Sequence, residues 1–320
     1  MEIFSKKTNY DFMGKGKIAI VFSLLLIIGT IYVWFQQGET KYGTDYVGGF
    51  EFVLQLDESI DDNANVKIRE AFQKNGFDKV VVQSYKAGSG QYAVRLPRDV
   101  AGEEFDTQNE NKFTAAVTQK VQQLVKDTFA EKCEVASSSY IGPTIGSELQ
   151  KKALIAFIFG LLGITAYISW RFEFAFALGA VVAVFHDAIV TLGIYLFTGY
   201  EITMTTLAAV LTIVGYSVND TIVIFDRVRE EIFKRNDYDL VPLMNECINA
   251  TLSRTIITTL STLFAAVSLL VIGGGAIEDL SFFLVVGLIV GTYSTIFIAS
   301  PVVVAWEWFA TRKTRKAAAA

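Results

Sequence analysis

Residues 214–227 read Val-Gly-Tyr-Ser-Val-Asn-Asp-Thr-Ile-Val-Ile-Phe-Asp-Arg, and they place a carboxylate, Asp220, inside a run that is otherwise apolar enough to cross a bilayer. An ionised carboxylate at the bilayer centre costs about 2.5–3.5 kcal/mol even on lenient insertion scales. We therefore expect a basic partner, a bound proton or a water-filled path beside it, and Arg254 is the obvious basic partner. The stretch predicts a membrane protein with a functional ionisable group inside the membrane.

The composition of the whole chain agrees with a membrane protein. Of its 320 residues 52% are hydrophobic, and the mean hydropathy is +0.39. The net charge of -5 argues against a nucleic-acid-binding protein, because phosphate binding needs a concentrated basic face. Two cysteines, Cys133 and Cys247, supply neither a disulfide framework nor a metal cluster, and the single histidine, His186, excludes a multi-histidine site. We expect no metal and no cofactor.

Apolar segments long enough to span a bilayer recur along the chain, and they predict six transmembrane helices. They lie at 18–35, 153–170, 174–197, 202–225, 254–272 and 280–306. The first resembles a signal peptide, but no small-residue cleavage site closes it, so we expect it to remain as a helix.

The distribution of basic residues predicts the orientation. Basic side chains occur at the N-terminus, after the second and fourth segments, and in the tail: Lys6, Lys7, Lys15, Lys17; Arg171; Arg227, Arg229, Lys234, Arg235; Arg312, Lys313, Arg315, Lys316. The connections 198–201 and 273–279 carry none. Both termini are therefore predicted to be cytoplasmic, and the region between the first two helices extracytoplasmic. The predicted divisions are 1–35, 36–147, 148–311 and a basic tail at 312–320.

The polar region 36–147, which we call the α+β domain, has a βαββαβ pattern. Strands are predicted at 46–56, 79–85, 91–96 and 133–139, helices at 61–75 and 109–130, and a glycine turn at 88–90. In the first helix Val66, Ile68, Ala71 and Phe72 are predicted to face inward. The order suggests a ferredoxin-like fold, which more often binds or supports than catalyses.

Asp220 and Arg254 are predicted at matching depths, roughly 10 Å and 8 Å inside the cytoplasmic ends of the fourth and fifth helices. One interpretation is a permanent ion pair that fixes helix packing. The other is a protonation switch, in which protonating Asp220 releases Arg254, because proton binding and rupture of the pair are linked.

His186, Asp187 and Asn219 are further candidates. His186 and Asp187 lie about 18 Å from the cytoplasmic end of the third helix, near the midplane. His186 suits two roles equally well, a proton relay and a hydrogen-bonded structural residue of the core. Asp187 points about 100° away from it and faces either the cytoplasmic loop or a second polar contact. Asn219 either hydrogen-bonds to a row of water molecules that conducts protons or makes an ordinary polar contact between helices.

Enzyme signatures are absent from the sequence: it has no P-loop, no nucleophile elbow and no metal-ligand spacing. We therefore expect no enzyme activity, and any work must draw on another source, such as a transmembrane ion gradient. Among the glycines, Gly287 and Gly291 form a GxxxG that permits close helix approach. Gly48 and Gly49 are predicted to mark a bulge where the α+β domain joins the membrane.

Short motifs follow one another along nearly the whole chain. They are GTDYVGG at 43–49, YIGPTIG at 140–146, FHD at 185–187, GYSVNDT at 215–221, LSRT at 252–255 and GTYSTIFIASP at 291–301. In this order they resemble the signatures of the SecD/SecF family of protein-export membrane proteins. Thr44 and Tyr46 differ slightly from the family pattern, which usually has an aliphatic residue at the first position and Phe at the second.

The resemblance implies one half of a SecD–SecF pair, related to resistance-nodulation-division transporters. Such a subunit uses the proton gradient to help the SecYEG translocon draw preproteins across the bacterial cytoplasmic membrane. The resemblance also implies SecD, SecYEG, YajC and the preprotein as partners. The positions matching Asp220 and Arg254 are implicated in proton coupling in that family. The remaining motif residues are expected to form a structural hinge: Gly43, Asp45, Gly48, Gly49, Gly142 and Pro143.

Two other functions stay open at this stage. An exporter of small amphiphiles would need an apolar substrate cleft in the α+β domain. A purely structural assembly subunit would tolerate Asp220→Asn once packing is kept. The coupling ion, H⁺ or Na⁺, is also open, because a lone carboxylate serves either, and so is the question whether the chain is a free subunit or part of a SecD–SecF fusion.

Overall fold

The structure, a computed structural model, describes residues 8–56, 64–77, 79–84, 90–97, 110–129, 132–235, 237–273 and 275–318. Of the predicted glycine turn only Gly90 belongs to these residues. Lys6, Lys7 and the side chains of the predicted basic tail lie outside the described part of the chain.

The α+β domain contains one antiparallel sheet covered by two helices. Its elements are β1 (Gly49–Leu56), α3 (Ala64–Lys74), β2 (Val81–Ser84), β3 (Gln91–Leu96), α4 (Glu110–Phe129) and β4 (Cys133–Ile141). The sheet order is β2-β3-β1-β4 with every neighbour antiparallel, which confirms the ferredoxin-like topology. Alternate residues of β1 are buried, namely Phe50, Phe52, Leu54 and Leu56, because successive side chains of a strand point to opposite faces.

One inward-facing residue of α3 was predicted wrongly. Ile68, Ala71 and Phe72 are buried, as predicted, but Val66 is 52% exposed. The buried stripe of the helix runs through Ala64, Ile68 and Ala71, and a residue two positions from Ala64 and Ile68 points away from that stripe.

Before β1 the chain crosses the junction with the membrane helices. The first helix, α1 (Gly16–Gln36), is followed by a 3-10 turn (Gly38–Lys41) and a single helical turn, α2 (Thr44–Val47). Gly48 and Gly49 have φ of 78° and 131° and turn the chain from α2 into β1. The predicted bulge at these glycines is wrong, since the register shift between β1 and β4 lies at Val53/Leu54.

The membrane region confirms six helices long and apolar enough to cross a bilayer. They are α1, α5 (Pro143–Arg171), α6 (Phe174–Phe197), α7 (Met204–Lys234), α8 (Leu240–Ile272) and a sixth span that runs from α9 (Gly275–Ser294) through a π-helical segment (Thr295–Ala299) into α10 (Ser300–Ala318). About half of α6, of α7 and of the sixth span is buried, whereas α1, α5 and α8 lie at the periphery.

Two helices begin well before their apolar segments. The apolar segments start at 153 and 254, but α5 begins at Pro143 and α8 at Leu240. The extension of α8 is amphipathic and buries Leu243, Met244 and Cys247. Hydropathy locates the part of a helix that meets lipid, and it does not locate the start of the helix.

Glycines allow the central helices to approach closely. A Cβ at Gly287 of α9 would lie 2.5 Å from Ile213 Cγ1 of α7, and one at Gly291 would lie 3.2 Å from Ser217 Cβ. The predicted close approach at the GxxxG motif is therefore confirmed, and its partner is α7. The π-helical segment precedes Pro301, which cannot donate a backbone hydrogen bond.

Candidate functional site

Asp187 is the centre of a buried hydrogen-bond network that joins three helices. Its side chain is fully buried on α6. Oδ2 accepts hydrogen bonds from Ser217 Oγ of α7 at 2.5 Å and from Ser294 Oγ of α9 at 2.7 Å. Oδ1 lies 2.9 Å from His186 Nδ1. Two placements were predicted for Asp187. The structure shows the polar contact between helices, and the side chain does not face the cytoplasmic loop.

His186 extends the network to α1. Its Nε2 lies 3.0 Å from Ser23 Oγ, and Ser23 Oγ lies 3.0 Å from the hydroxyl of Tyr293, which donates to the carbonyl of Ala19 at 2.7 Å. His186 and Ser23 are both buried. Four helices, α1, α6, α7 and α9, therefore meet at one hydrogen-bonded chain.

The directions of these bonds are linked along the chain. Since the hydroxyl of Tyr293 donates to Ala19, it accepts from Ser23, and Ser23 in turn accepts from Nε2–H of His186. The contact between Nδ1 and Asp187 Oδ1 completes the chain.

Asp220 lies one turn beyond Ser217 on α7, and it is not part of the hydrogen-bond network around Asp187. It is 4% exposed, and its Oδ2 is buried without a hydrogen-bond partner among the described residues. Arg254 of α8 is near enough to act on this carboxylate electrostatically, but within the described residues no ion pair of 4.0 Å or less joins the two. Thr258 and Thr259, on the next turn of α8, also face Asp220.

Arg254 and Asn219 lie on the surface of the helix bundle. Both side chains are exposed, as are Thr212 of α7 and Ser261 and Thr262 of α8. Together they form a polar face at membrane depth, which we call the α7/α8 face. The structure therefore does not bring Asn219 to the buried carboxylates.

The glycine motifs meet at the junction between the α+β domain and the membrane helices. Gly43 N–H donates to the carbonyl of Ile202 at 2.9 Å, and a Cβ at Gly43 would lie 2.8 Å from Thr203 Cγ2. Asp45 Oδ2 accepts from the backbone N–H of Met204 at 3.0 Å, at the start of α7.

The second glycine motif meets the first. Gly142 is buried and immediately precedes α5, whose first residue is Pro143, where the missing N–H costs no hydrogen bond. A Cβ at Gly146 would lie 3.1 Å from the carbonyl oxygen of Tyr46. A Cβ at Gly49 would collide with the carbonyl oxygen of Leu96.

Several polar residues were missed by the sequence reasoning. Ser23 lies in an apolar run that carries no signal of a polar contact, whereas Tyr293 and Ser294 lie in a motif whose chemistry was not considered. Arg95 lies in β3 between two buried residues, and a charged residue at such a position could have indicated a buried ion pair. Among the described residues no group of three or more His, Cys, Asp or Glu could hold a metal ion.

Comparisons with known proteins bear on this arrangement. The sequence profile described as "Protein export membrane protein SecD/SecF, C-terminal" matches residues 120–308. The chain belongs to the SecD/SecF family. Within this family it is 37% identical over 307 residues to the protein translocase subunit SecF of Calditerrivibrio nitroreducens, covering 95% of this chain and 96% of that one. It is 34% identical over 316 residues to SecF of Rickettsia conorii, covering 99% and 97%.

A solved structure of the SecD/SecF family shows the same fold. The crystal structure of SecDF, a translocon-associated membrane protein from Thermus thermophilus, superposes with a TM-score of 0.81 at 32% identity. The match covers 95% of this chain but 40% of the SecDF chain. A second structure of SecDF, in a super-membrane-facing form, gives a TM-score of 0.67.

Proposed function

We propose that this chain is the accessory subunit of the Sec protein translocase that works with SecD and uses the proton motive force to promote preprotein export. Relatives named SecF match it over nearly their whole length, and in SecDF the matching part is joined to further chain. We infer that SecD supplies this remainder, as a separate subunit or as part of the same polypeptide. The SecYEG translocon, YajC and the exported preprotein are the further partners, and the chain resides in the bacterial cytoplasmic membrane with both termini in the cytoplasm.

The observation that carries the proposal is the buried Oδ2 of Asp220, which has no hydrogen-bond partner among the described residues. A buried acceptor left without a donor costs about 1–3 kcal/mol, and more when it is charged. A proton removes the charge, whereas movement of Arg254 toward the carboxylate compensates it. Asp220 therefore has two ways of being satisfied, and proton binding selects between them.

Arg254 is suited to respond because no carboxylate holds it in place in the described structure. It lies on the exposed α7/α8 face, where lipid would meet a guanidinium, two threonines, a serine and an amide. Charged side chains facing lipid are strongly disfavoured. The α7/α8 face is thus the surface that SecD covers, and Arg254 is positioned between its own Asp220 and the partner.

The His186–Asp187 pair is the second proton-binding group. It lies in a chain of hydrogen bonds that reaches from α1 to α9. A change in the protonation of the pair alters the charge that the hydroxyls of Ser217 and Ser294 stabilise by donating to Oδ2. Ser217 and Asp220 lie on the same helix, so a change at one carboxylate moves the other.

The described part of the α+β domain gives no support to a small-molecule exporter. The cleft between α4 and β4 is open to solvent and mixes polar residues such as Lys126 and Asp127 with Val125 and Val135. Such surfaces differ from the enclosed, mostly apolar sites that bind small molecules.

The proposal is tested by preprotein export in cells that lack their own copy and carry Asp220→Asn, with membrane levels of the chain and of SecD measured alongside. Asn keeps the size of the side chain but cannot ionise. The matched control is Asp226→Asn, on the same helix, whose carboxylate is half exposed between Arg171 and Arg229. We expect export at the level of a deletion for Asp220→Asn and near wild type for Asp226→Asn. Normal export with Asp220→Asn would support the structural assembly subunit instead.

A further inference from the structure

A short segment before α1 is bound along the first turns of α8. Residues 8–13, which we call the N-terminal strap, form neither a helix nor a strand. Two asparagines of α8, Asn245 and Asn249, lie one turn apart and therefore on the same side of that helix. Both bind the strap, although Phe12 and Asn245 are 233 residues apart along the chain. The contact joins the predicted cytoplasmic ends of α1 and α8.

The two asparagines hold the strap mainly by its backbone. Asn249 Oδ1 accepts from the N–H of Tyr10 at 2.9 Å, and Asn249 Nδ2 donates to the carbonyl of Tyr10 at 2.9 Å. Asn245 Oδ1 accepts from the N–H groups of Phe12 and Met13 at 2.9 Å and 3.0 Å. These bonds satisfy backbone groups that have no partner in a helix or a sheet.

Asp11 ties the strap both to α8 and to the turn that leads into α1. Its Oδ1 accepts from Asn245 Nδ2 at 2.9 Å and from the N–H of Gly14 at 2.8 Å. The hydrogen bonds from Gly14 and Asn245 lower the pKa of the Asp11 carboxyl. Lys15 N–H closes the same turn by donating to the carbonyl of Phe12 at 3.2 Å. The connection between the strap and α1 therefore has little slack.

Phe12 supplies the apolar contact of the strap. Its ring packs edge-on against Phe297 of the π-helical segment, with the ring centroids 6.0 Å apart. The ring of Phe297 lies 5.3 Å from that of Tyr293, and the ring of Tyr293 lies 6.1 Å from that of His186. A row of aromatic rings thus runs from the strap to the hydrogen-bond network around Asp187.

The strap is bound largely by contacts that water can replace. Tyr10 is 57% exposed, and the hydrogen bonds that Tyr10 and Asp11 make with α8 lie at exposed positions. An exposed hydrogen bond adds little net stability, because water offers equivalent donors and acceptors. Segments with few buried apolar contacts open separately from the folded core. We therefore expect the strap to open while the helix bundle stays folded.

The two helices that the strap joins each contribute to a different carboxylate site. Ser23 of α1 lies 3.0 Å from His186 and so belongs to the network around Asp187. Arg254 of α8 acts electrostatically on Asp220, and it follows Asn249 by about 7.5 Å along the helix axis. While the strap is bound, a displacement of the first turns of α8 is therefore passed to α1.

We propose that the N-terminal strap is a releasable latch, which couples the position of α8 to that of α1 when bound and lets the two helices move independently when released. The residues that close the latch are Asn245 and Asn249 of α8 and Asp11 and Phe12 of the strap. This latch does not depend on the proposed role in export, because it concerns only the relative movement of two helices of this chain.

The test is a spin-label distance measurement on the full chain in lipid nanodiscs. Labels are placed at Ile18→Cys near the start of α1 and Val241→Cys near the start of α8, which are 76% and 39% exposed. The native cysteines are buried, and a sample without the two new cysteines measures any background labelling. We expect a narrow distance distribution while the strap is intact, because the bound strap fixes the two helix ends relative to each other.

Two variants should release the latch. The double substitution Asn245→Ala/Asn249→Ala removes the side chains that bind the strap, and Phe12→Ala removes its apolar contact without changing α8. Both should broaden the distance distribution while thermal unfolding shows that the bundle is still folded. The matched control is Glu246→Ala, which breaks an exposed ion pair between α8 and Arg235. Exposed ion pairs contribute little, so the control should keep the narrow distribution.

Amide hydrogen exchange of the chain with an intact strap tests release itself. The N–H groups of Tyr10, Phe12 and Met13 are hydrogen-bonded to asparagine side chains and exchange only when the strap opens. We expect them to exchange faster than the amides of α6 and slower than those of an unstructured peptide. Protection equal to that of α6 would show a permanently fixed segment and would contradict the latch.

The remaining outcomes also decide the proposal. A distribution that stays narrow in both strap variants overturns it, and so does equal broadening in Glu246→Ala. If the double variant fails to fold, Phe12→Ala decides in the same way. Loss of folding in both variants overturns the proposal as well, because a latch is released without unfolding the bundle.

Discussion

Asp45 Oδ2 accepts a 3.0 Å hydrogen bond from the backbone N–H of Met204, so that a residue at the base of the α+β domain binds the first residue of the helix that carries Ser217 and Asp220, beside its cap Thr203. The first N–H groups of a helix have no partner within the helix, and a carboxylate there also interacts favourably with the helix dipole. The α+β domain and α7 are therefore connected by a hydrogen bond. Neutralising the carboxylate of Asp45 or moving α7 would weaken it.

Asp45→Ala should lower the free energy of unfolding by about 1.5–3 kcal/mol, as expected when a backbone N–H loses a charged acceptor. Asp45→Asn keeps a side-chain acceptor and should cost less. The measurement is thermal unfolding of the purified chain in detergent, with the exposed Asp237→Ala as control. Equal midpoints for Asp45→Ala and Asp237→Ala would show that this hydrogen bond contributes nothing to stability.

Asp187→Leu should destabilise the bundle more than Ser217→Ala. The first leaves the hydroxyls of Ser217 and Ser294 and the ring of His186 without their acceptor, at about 1–3 kcal/mol for each buried polar group left unpaired. The second removes one donor and should cost about 1 kcal/mol. Thermal stability of the purified variants measures the order, and a Ser217→Ala variant less stable than Asp187→Leu would contradict it.

Gly287→Leu should reduce the yield of folded protein, because its Cβ alone would lie 2.5 Å from Ile213. Overpacking of this kind costs about 1–3 kcal/mol. Gly163→Leu is the matched control, since no atom lies within 4 Å of a Cβ built there. Ile213→Ala should partly restore the Gly287→Leu variant. Membrane levels and elution profiles of the four proteins measure these effects, and equal losses for both glycine variants would argue against the α7–α9 contact.

Unfolding should depend on pH through Glu201. Its pKa is about 7 in the folded chain and near 4.5 when unfolded, so the folded state binds more protons between these values. Stability should therefore fall as pH rises from about 5 to 8, by at most about 3 kcal/mol for this group. Chemical unfolding at several pH values measures the slope. Glu201→Gln should reduce it, and a slope unchanged by this substitution would be inconsistent with the assignment.

The sequence predicted those features that follow from periodicity and hydropathy. The six spans, the ferredoxin-like order and the burial of Ile68 depend on patterns within a single element. The early start of α8 at Leu240 was not predicted, because its first turns pack on protein and carry polar residues that hydropathy excludes. Val66 was placed wrongly because one apolar residue beside a stripe looks like part of it.

The site was only partly predictable for a different reason. His186 and Asp187 are conspicuous as polar residues in an apolar segment, but their partners Ser23 and Ser294 lie more than 100 residues away along the chain. Arg95 and Glu201 are likewise brought together by docking of the α+β domain. Contacts between separate elements leave no periodic trace, so a single sequence indicates the buried groups without their partners.

The most direct test of proton coupling is export driven by an imposed pH gradient in vesicles that contain SecYEG, SecD and this chain. A preprotein is first engaged in the translocon, ATP is removed, and the gradient is then applied. The account predicts that the gradient accelerates completion of export with the wild-type chain and has no effect with Asp220→Asn at equal levels of the complex. Equal acceleration in both would contradict the claim that ionisation of Asp220 couples the gradient to export.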